Sequence, residues 1–362
     1  MGPSTLALPF KLTLSEAHPY LTLGDYFEAI QTFLLRNNGK SLKVALQHSL
    51  HSPIDTLLIR SEKHGALYHI ASVEIFMASQ RIKLAVSTAL SETGKACLNR
   101  EYDIIHSLRR SHPLPYLPAV YVRGRVDWRR KKAREDLVMV LSQWFEDFHE
   151  WHTTHGNADG KRRIRIWDHR NNNPYLSREE TFQLFRQASK ILTLYYDPET
   201  FRQIYPWHHA AGDFVVSTRT GIMEMRLATV RKYASIMEAF TADPVNPLIA
   251  MVYFFLNLTI RMRLDRLDGV GDTIWSEDFA VEASTQGFFE AVEIMHREKR
   301  FTRCGVEELV SLLQSFEPPE LERLFQSLCG LYQEGDPEEY AVIQAHLQHH
   351  VRSLYPALQK YH

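Results

Sequence analysis

The feature that most constrains this chain is a change of hydrophobic period part-way along it. Between residues 55 and 141 the pattern reads strand, strand, strand, helix, strand, strand; beyond about residue 144 it reads almost wholly as helix. Asp55 to Arg60 is an apolar run closed by Ser61-Glu-Lys-His-Gly65, a turn signal. Ala66 to Phe76 and Arg81 to Thr88 follow as β-rich runs. From Lys95 to Arg110 the period becomes helical, with Cys97, Leu98, Tyr102, Ile105 and Leu108 in phase, until His112-Pro-Leu-Pro stops it. Leu117 to Val122 and Asp136 to Leu141 complete the set. The predicted class is α+β: a small antiparallel-sheet lobe with one helix, after an N-terminal helical extension, over residues 1–143, and a large mainly helical lobe over 144–362.

In the second half, Ser177-Arg-Glu-Glu180 is a capping box ahead of an apolar stripe at Phe182, Phe185, Ile191 and Leu192. Glu146, Asp147, His149, Glu150 and His152 read by themselves as a polar helix start. Pro247 to Leu258 is the strongest apolar run, about half the length of a membrane span, and predicts a buried helix. His346 and His350 share one face of a C-terminal helix, where accidental surface placement is the simpler reading.

With 44% apolar and 23% charged residues in 362, the chain is long enough for a sizeable core. Its formal net charge of -1 gives no general attraction for nucleic acid or acidic membranes. The local exception is the basic run Arg123, Arg125, Arg129, Arg130, Lys131, Lys132, Arg134, with Trp128 inside it; a solvated loop between two strands is expected there, with nucleic acid an unlikely partner. Three cysteines without a CxxC, Cys97, Cys304 and Cys329, argue against a disulfide framework or a thiolate zinc site and for a reducing, cytoplasmic setting. The N-terminus lacks the charged and apolar regions of a signal peptide.

The stretch richest in chemistry is Ile204-Tyr-Pro-Trp-His-His-Ala-Ala-Gly-Asp-Phe-Val-Val216, then a turn at Ser217 to Gly221 and a second apolar segment, Ile222 to Leu227. It predicts a loop of ionisable groups feeding a short hairpin. Asp213 is the first candidate site residue, with a loop or capping carboxylate as its alternative. His208 and His209 are neighbours whose side chains diverge, so they do not make a joint metal site by themselves.

These residues, in this order, resemble the protein-kinase-like superfamily, with the aminoglycoside and choline phosphotransferases as the most similar branch. Arg100-Glu-Tyr-Asp-Ile-Ile-His-Ser-Leu108 is similar to the helix whose glutamate pairs with the nucleotide-binding lysine, with Glu101 at the glutamate. Trp144 to Trp151 falls where the hinge between lobes runs out, which implies, as the alternative for Glu146, Asp147, His149, Glu150 and His152, a cleft rim that meets cationic substrates. Asp243 to Leu258 is similar to the helix after the metal loop. The fourth match is the 204–216 stretch against the loop H-G-D-x-H-P-x-N. Its three closing apolar residues put Asp213 on the metal-binding asparagine, His208 on the catalytic aspartate and Pro206 on the loop histidine. Arg226 then falls on the metal-binding aspartate. Ser87 stands where the lysine is expected, with Lys83 four residues early. In a second register Gly212-Asp213 is the G-D itself, with His209 upstream and Thr218 at the asparagine position.

Three functions follow from the resemblance and its departures. Phosphoryl transfer needs cations on the phosphates and carboxylates on magnesium, and an arginine cannot ligate magnesium. The resemblance therefore implies a degenerate, pseudokinase-like module that binds a small molecule, nucleotide or protein partner. The alternative is an active ATP- and Mg-dependent small-molecule phosphotransferase with rearranged groups. In it Asp213 is metal ligand or base, Glu224 a second metal carboxylate, and Lys83, Glu101 and Arg226 hold the nucleotide. A helical scaffold without kinase ancestry is the third. The expectation shared by the first two is a groove where Asp213, Arg226 and Glu101 converge.

Overall fold

The structure is a computed structural model. It describes residues 3–11, 16–46, 53–65, 67–78, 80–130, 133–156, 162–168, 171–208, 212–240, 245–302 and 305–361. Lys131, Lys132, His209, Asp243 and Cys304 lie outside the described residues. The chain is mixed α+β and divides into two compact units, Met1–Glu146 and Asp147–His362.

The first unit opens with a short helix α1 (Pro3–Leu6) and a two-stranded ribbon, β1 (Pro9–Lys11) with β2 (Ala17–Thr22). Helix α2 (Leu23–Ala45) starts on a capping box in which Thr22 and Asp25 exchange hydrogen bonds, as the Thr-x-x-Asp spacing allows. It is interrupted at Arg36 to Gly39, where Asn37, Asn38 and Gly39 take left-handed φ values, a conformation asparagine and glycine adopt cheaply. Strands β3 (Thr56–His64), β4 (His69–Met77) and β5 (Gln80–Ala89) form a meander. Helix α3 (Glu92–Ser111) follows, then β6 (Val120–Arg130) and β7 (Ala133–Gln143). The five make one antiparallel sheet in the order β3-β4-β5-β7-β6.

Both faces of that sheet are covered. Ile30, Phe33 and Leu34 of α2 bury one face against Val73, Ile75, Leu84, Val86, Met139 and Leu141. Leu98 of α3 packs on the other against Ala89, Val138 and Val140. The period of two along β5 and β7 therefore sorts apolar residues to both sides. It explains why β4 is buried almost throughout. The N-terminal helix predicted as an extension is a core element of this unit.

Two strand boundaries differ from the sequence reading, for one reason. Within the basic run, Arg123 to Arg130 and Arg134 stand not in a loop but on the far ends of β6 and β7. Asp127 pairs Asp136 in register; Arg125 is answered across the ladder by Asp136 at 3.0 Å and Arg134 by Asp127 at 2.9 Å, while Arg123 reaches Asp103 of α3 at 2.9 Å. Likewise Ser61 to His64 extends β3, with a register irregularity between Ser61 and Lys63. Charge density marked these residues as turns; in β6 and β7 opposite charges across the ladder keep Arg125 and Arg134 in it, and in β3 Lys63 pairs Ile70 and His64 pairs His69.

The second unit begins not with a helix but with β8 (Trp151–His155) against β9 (Arg162–Ile166), entered through Asp147 at φ 59. Helix α4 (Arg178–Leu194) starts on the predicted Ser177/Glu180 capping box. Next come β10 (Arg202–Ile204), the predicted hairpin β11 (Phe214–Ser217) and β12 (Glu224–Leu227), and β13 (Tyr233–Ser235), which pairs with β10. Helix α5 (Pro247–Arg261) is the buried apolar run. A ribbon of β14 (Leu264–Arg266) and β15 (Thr273–Trp275) precedes helices α6 (Phe279–Arg297), α7 (Val306–Ser315), α8 (Pro318–Gln333) and α9 (Pro337–Gln359). Helices α4 and α6 approach closely because Gly287 has no Cβ; one would meet the Arg186 carbonyl oxygen at 2.1 Å. Among the described residues no helix is long and apolar enough to cross a membrane.

Candidate functional site

Asp213 sits immediately before β11, after Gly212 at φ +70, and is 2% exposed. The hairpin register explains its place: Phe214 pairs Leu227, so the chain leaving β12 passes directly opposite Asp213, and the Ala228 amide donates to its carbonyl at 2.6 Å. The segment then turns Thr229 and Arg231 onto the carboxylate. Thr229 Oγ1 donates to Oδ1 at 3.1 Å, and Arg231 is bidentate, Nη2 to Oδ1 at 2.6 Å and Nη1 to Oδ2 at 3.0 Å. From the other side the His208 amide donates to Oδ2 at 2.8 Å. A carboxylate offers about four acceptor sites, and these four donors fill them. Burial raises the Asp213 carboxyl from its ordinary range, while Arg231 and the His208 amide pull it down.

The cation beside Asp213 is thus Arg231, not Arg226. Arg226 stands inside β12 opposite Val215, and its guanidinium goes to Glu224 at 3.0 Å and over the Phe148 ring at 5.0 Å. Position, not residue type, decides this: Arg226 lies on the ladder, and the chain reaches Asp213 only after the strand ends. Glu224 pairs with Ser217, the far end of the hairpin from Asp213. At about 3.3 Å per residue the two carboxylates stand on the order of 13 Å apart along the strand, too far to share one ion. Among the described residues no group of three or more His, Cys, Asp or Glu is placed to hold a metal.

His208 donates its amide to Asp213, and its ring turns to Glu339. Its Nε2 lies 2.8 Å from Glu339 Oε1, and Glu339 also takes the buried guanidinium of Arg261. Burial opposes the Glu339 charge, but hydrogen bonding from His208 and the Arg261 charge prevail and hold the carboxyl down at about 2. The run Arg231–Asp213–His208–Glu339–Arg261 is therefore a continuous network in which each buried carboxylate is matched by an arginine, Arg261 buried and Arg231 half-buried. It ties the β11 loop to the end of α5 and the first turn of α9. Nearby, Asp265, 0% exposed, accepts the Thr153 hydroxyl at 2.6 Å and its amide at 3.2 Å.

The first unit treats its candidates in the same way. Lys83 Nζ lies 3.3 Å from Glu62 and 3.9 Å above the Trp144 ring, with its side chain 11% exposed. Glu62 also accepts the Ser72 hydroxyl. Beside them Glu74 takes Arg60 and Arg81, and Arg81 reaches Glu146 at 3.2 Å. The Arg81 hydrogen bond comes first among the causes that hold the Glu74 carboxyl below its usual range. Glu101 is buried in α3 and accepts the Tyr68 hydroxyl at 2.7 Å. The expected link from Lys83 to Glu101 is replaced by Lys83 to Glu62. Ser87, which the resemblance sets at the lysine position, pairs with Val140 on β7.

Arg231, Thr229, Arg261 and Glu339 escaped the sequence reading. Their only signal was charge next to apolar segments, as at Thr229-Val-Arg231 and at Thr259-Ile-Arg261, where the buried Arg261 requires a buried carboxylate. Compared with known proteins, the chain matches no family model and no curated protein.

Proposed function

We propose that this chain is a degenerate member of the protein-kinase-like superfamily that acts as a binding or regulatory module rather than a phosphotransferase. The observation that carries the reading is the Asp213 carboxylate, whose four acceptor sites are taken by Arg231, Thr229 and the His208 amide. Both uses that the resemblance suggests for this aspartate need lone pairs that these donors occupy. A metal ligand must offer a free lone pair to a hard cation, and a general base must reach the substrate proton.

The superfamily part of the reading is supported by topology: a three-strand meander, one helix, then two strands that place the last strand inside the sheet order β3-β4-β5-β7-β6. Glu101 occupies that helix, buried as the resemblance implies for its counterpart. The loss of transfer chemistry is supported by Ser87 at the lysine position and by Lys83 held on Glu62 and Trp144. Phosphoryl transfer is mostly positioning and charge stabilisation, and these groups are already neutralised by one another.

Incubation of the full chain with labelled ATP and magnesium tests the reading, with aminoglycosides, choline-like amines and protein as acceptors. No transfer above a no-protein blank is expected. Transfer that disappears in both Lys83→Ala and Arg231→Lys would favour the active phosphotransferase instead.

A further inference from the structure

A second polar cluster in the unit Asp147–His362 is built around donors that meet no acceptor among the described residues. A cavity of about 490 Å³ is lined by Arg178, Arg263, Trp275, Asp278, His346 and His349, among others. Arg263 is 1% exposed. Its Nε and Nη2 donate to the Ser276 carbonyl at 2.9 and 2.7 Å, and Nη2 also to Asp278 at 2.9 Å. Its Nη1 is buried and meets no acceptor among the described residues, and neither does the buried Nε1–H of Trp275. The two side chains are in contact: the guanidinium lies 4.8 Å from the Trp275 ring centroid, and His346 stacks on that ring at 5.2 Å and 10°.

A buried donor without an acceptor costs about 1–3 kcal/mol, and folded proteins keep few of them. Two such donors on touching side chains in one cavity wall point to an acceptor supplied from outside the chain. The surrounding charge selects its sign. Asp278 is engaged by Arg263, by the Ser353 hydroxyl at 2.9 Å and by His349 at 3.6 Å. Arg178 opens α4 and Phe279 opens α6, so two helix N-termini bring their positive ends to the wall. Two carboxylates of the lining oppose this charge: Glu277, which is exposed to water, and Asp278, whose charge is answered by Arg263.

We infer that this cavity binds the oxyanion of a small ligand, a phosphate monoester or a carboxylate. Arg263 Nη1 and Trp275 Nε1 are the buried donors and Arg178 the cation at the mouth. The site stands on these residues alone, so its failure would leave the reading of Asp213 untouched.

The test follows the indole N–H resonance of Trp275 in the full chain, assigned by its loss in Trp275→Phe, during titration with inorganic phosphate and, separately, succinate. Potassium chloride at matched ionic strength is the control. A saturable shift with at least one oxyanion is expected, and which one identifies the ligand chemistry. Arg263→Lys removes the planar fork and should weaken binding about tenfold. If that variant does not fold, Arg178→Ala, on the exposed start of α4, should weaken it by a similar factor. The inference is overturned if neither oxyanion gives a saturable shift beyond the chloride control. It is equally overturned if the folded variants bind as tightly as the parent, which would mark an adventitious ion only.

Discussion

At the scale of single residues, the chain illustrates how a carboxylate in a suggestive loop acquires a structural task. Removing one partner of a buried ion pair costs about 3–5 kcal/mol, because the other charge is stranded. Asp213→Asn and Arg231→Met should each destabilise by that order. The double variant should lose less than the sum, with a coupling on the order of 2–3 kcal/mol read from denaturant midpoints. Glu339 gives a second test. Its carboxyl is held at about 2 against an ordinary 4.5, so the folded state binds its proton less readily than the unfolded chain. Its stabilisation is complete above pH 4.5 and is lost as pH falls towards 2. Glu339→Gln should therefore be markedly less stable than the parent at pH 7, and the gap should narrow across that window. Asp213 was legible because a lone carboxylate after glycine, ahead of an apolar triplet, stands out. Arg231 was not, since its pairing depends on how the chain turns after β12, which no periodicity records.

At the scale of elements, the sequence was readable where one physical rule governed a segment. The capping box at Ser177, the 214–217/224–227 hairpin and the apolar α5 each obey one, and all three form. Where two rules competed, charge density misled: β6 and β7 continue through the arginines because carboxylates answer them across the ladder. Residues 151–155 make a strand although their histidines and acidic neighbours suggested a helix start; Thr153 and Thr154 are β-branched and buried, which favours the pleat. Three substitutions separate these effects. Ser177→Ala should cost about 1 kcal/mol through loss of the cap. Arg125→Ala, whose side chain is 68% exposed, should cost less than about 1 kcal/mol, as surface pairs do. Gly287→Ala should cost about 1–3 kcal/mol, because backbone of α4 must move to admit the methyl.

For the molecule as a whole, ionisable groups are abundant and almost balanced, 42 basic against 43 acidic, and the candidate nucleotide and metal residues of both units are engaged within the chain. Asp213, Arg226 and Lys83 are used in internal ion pairs, and Glu101 accepts the Tyr68 hydroxyl. Stabilisation by a ligand grows with its concentration over its dissociation constant, so a working metal–nucleotide site must appear as a rise in melting temperature. A thermal-shift titration of the full chain with ATP and magnesium, repeated with EDTA, measures this directly. The account predicts a melting temperature unchanged to within about 1 °C at millimolar ATP with or without the chelator; a rise of several degrees that EDTA abolishes would contradict it.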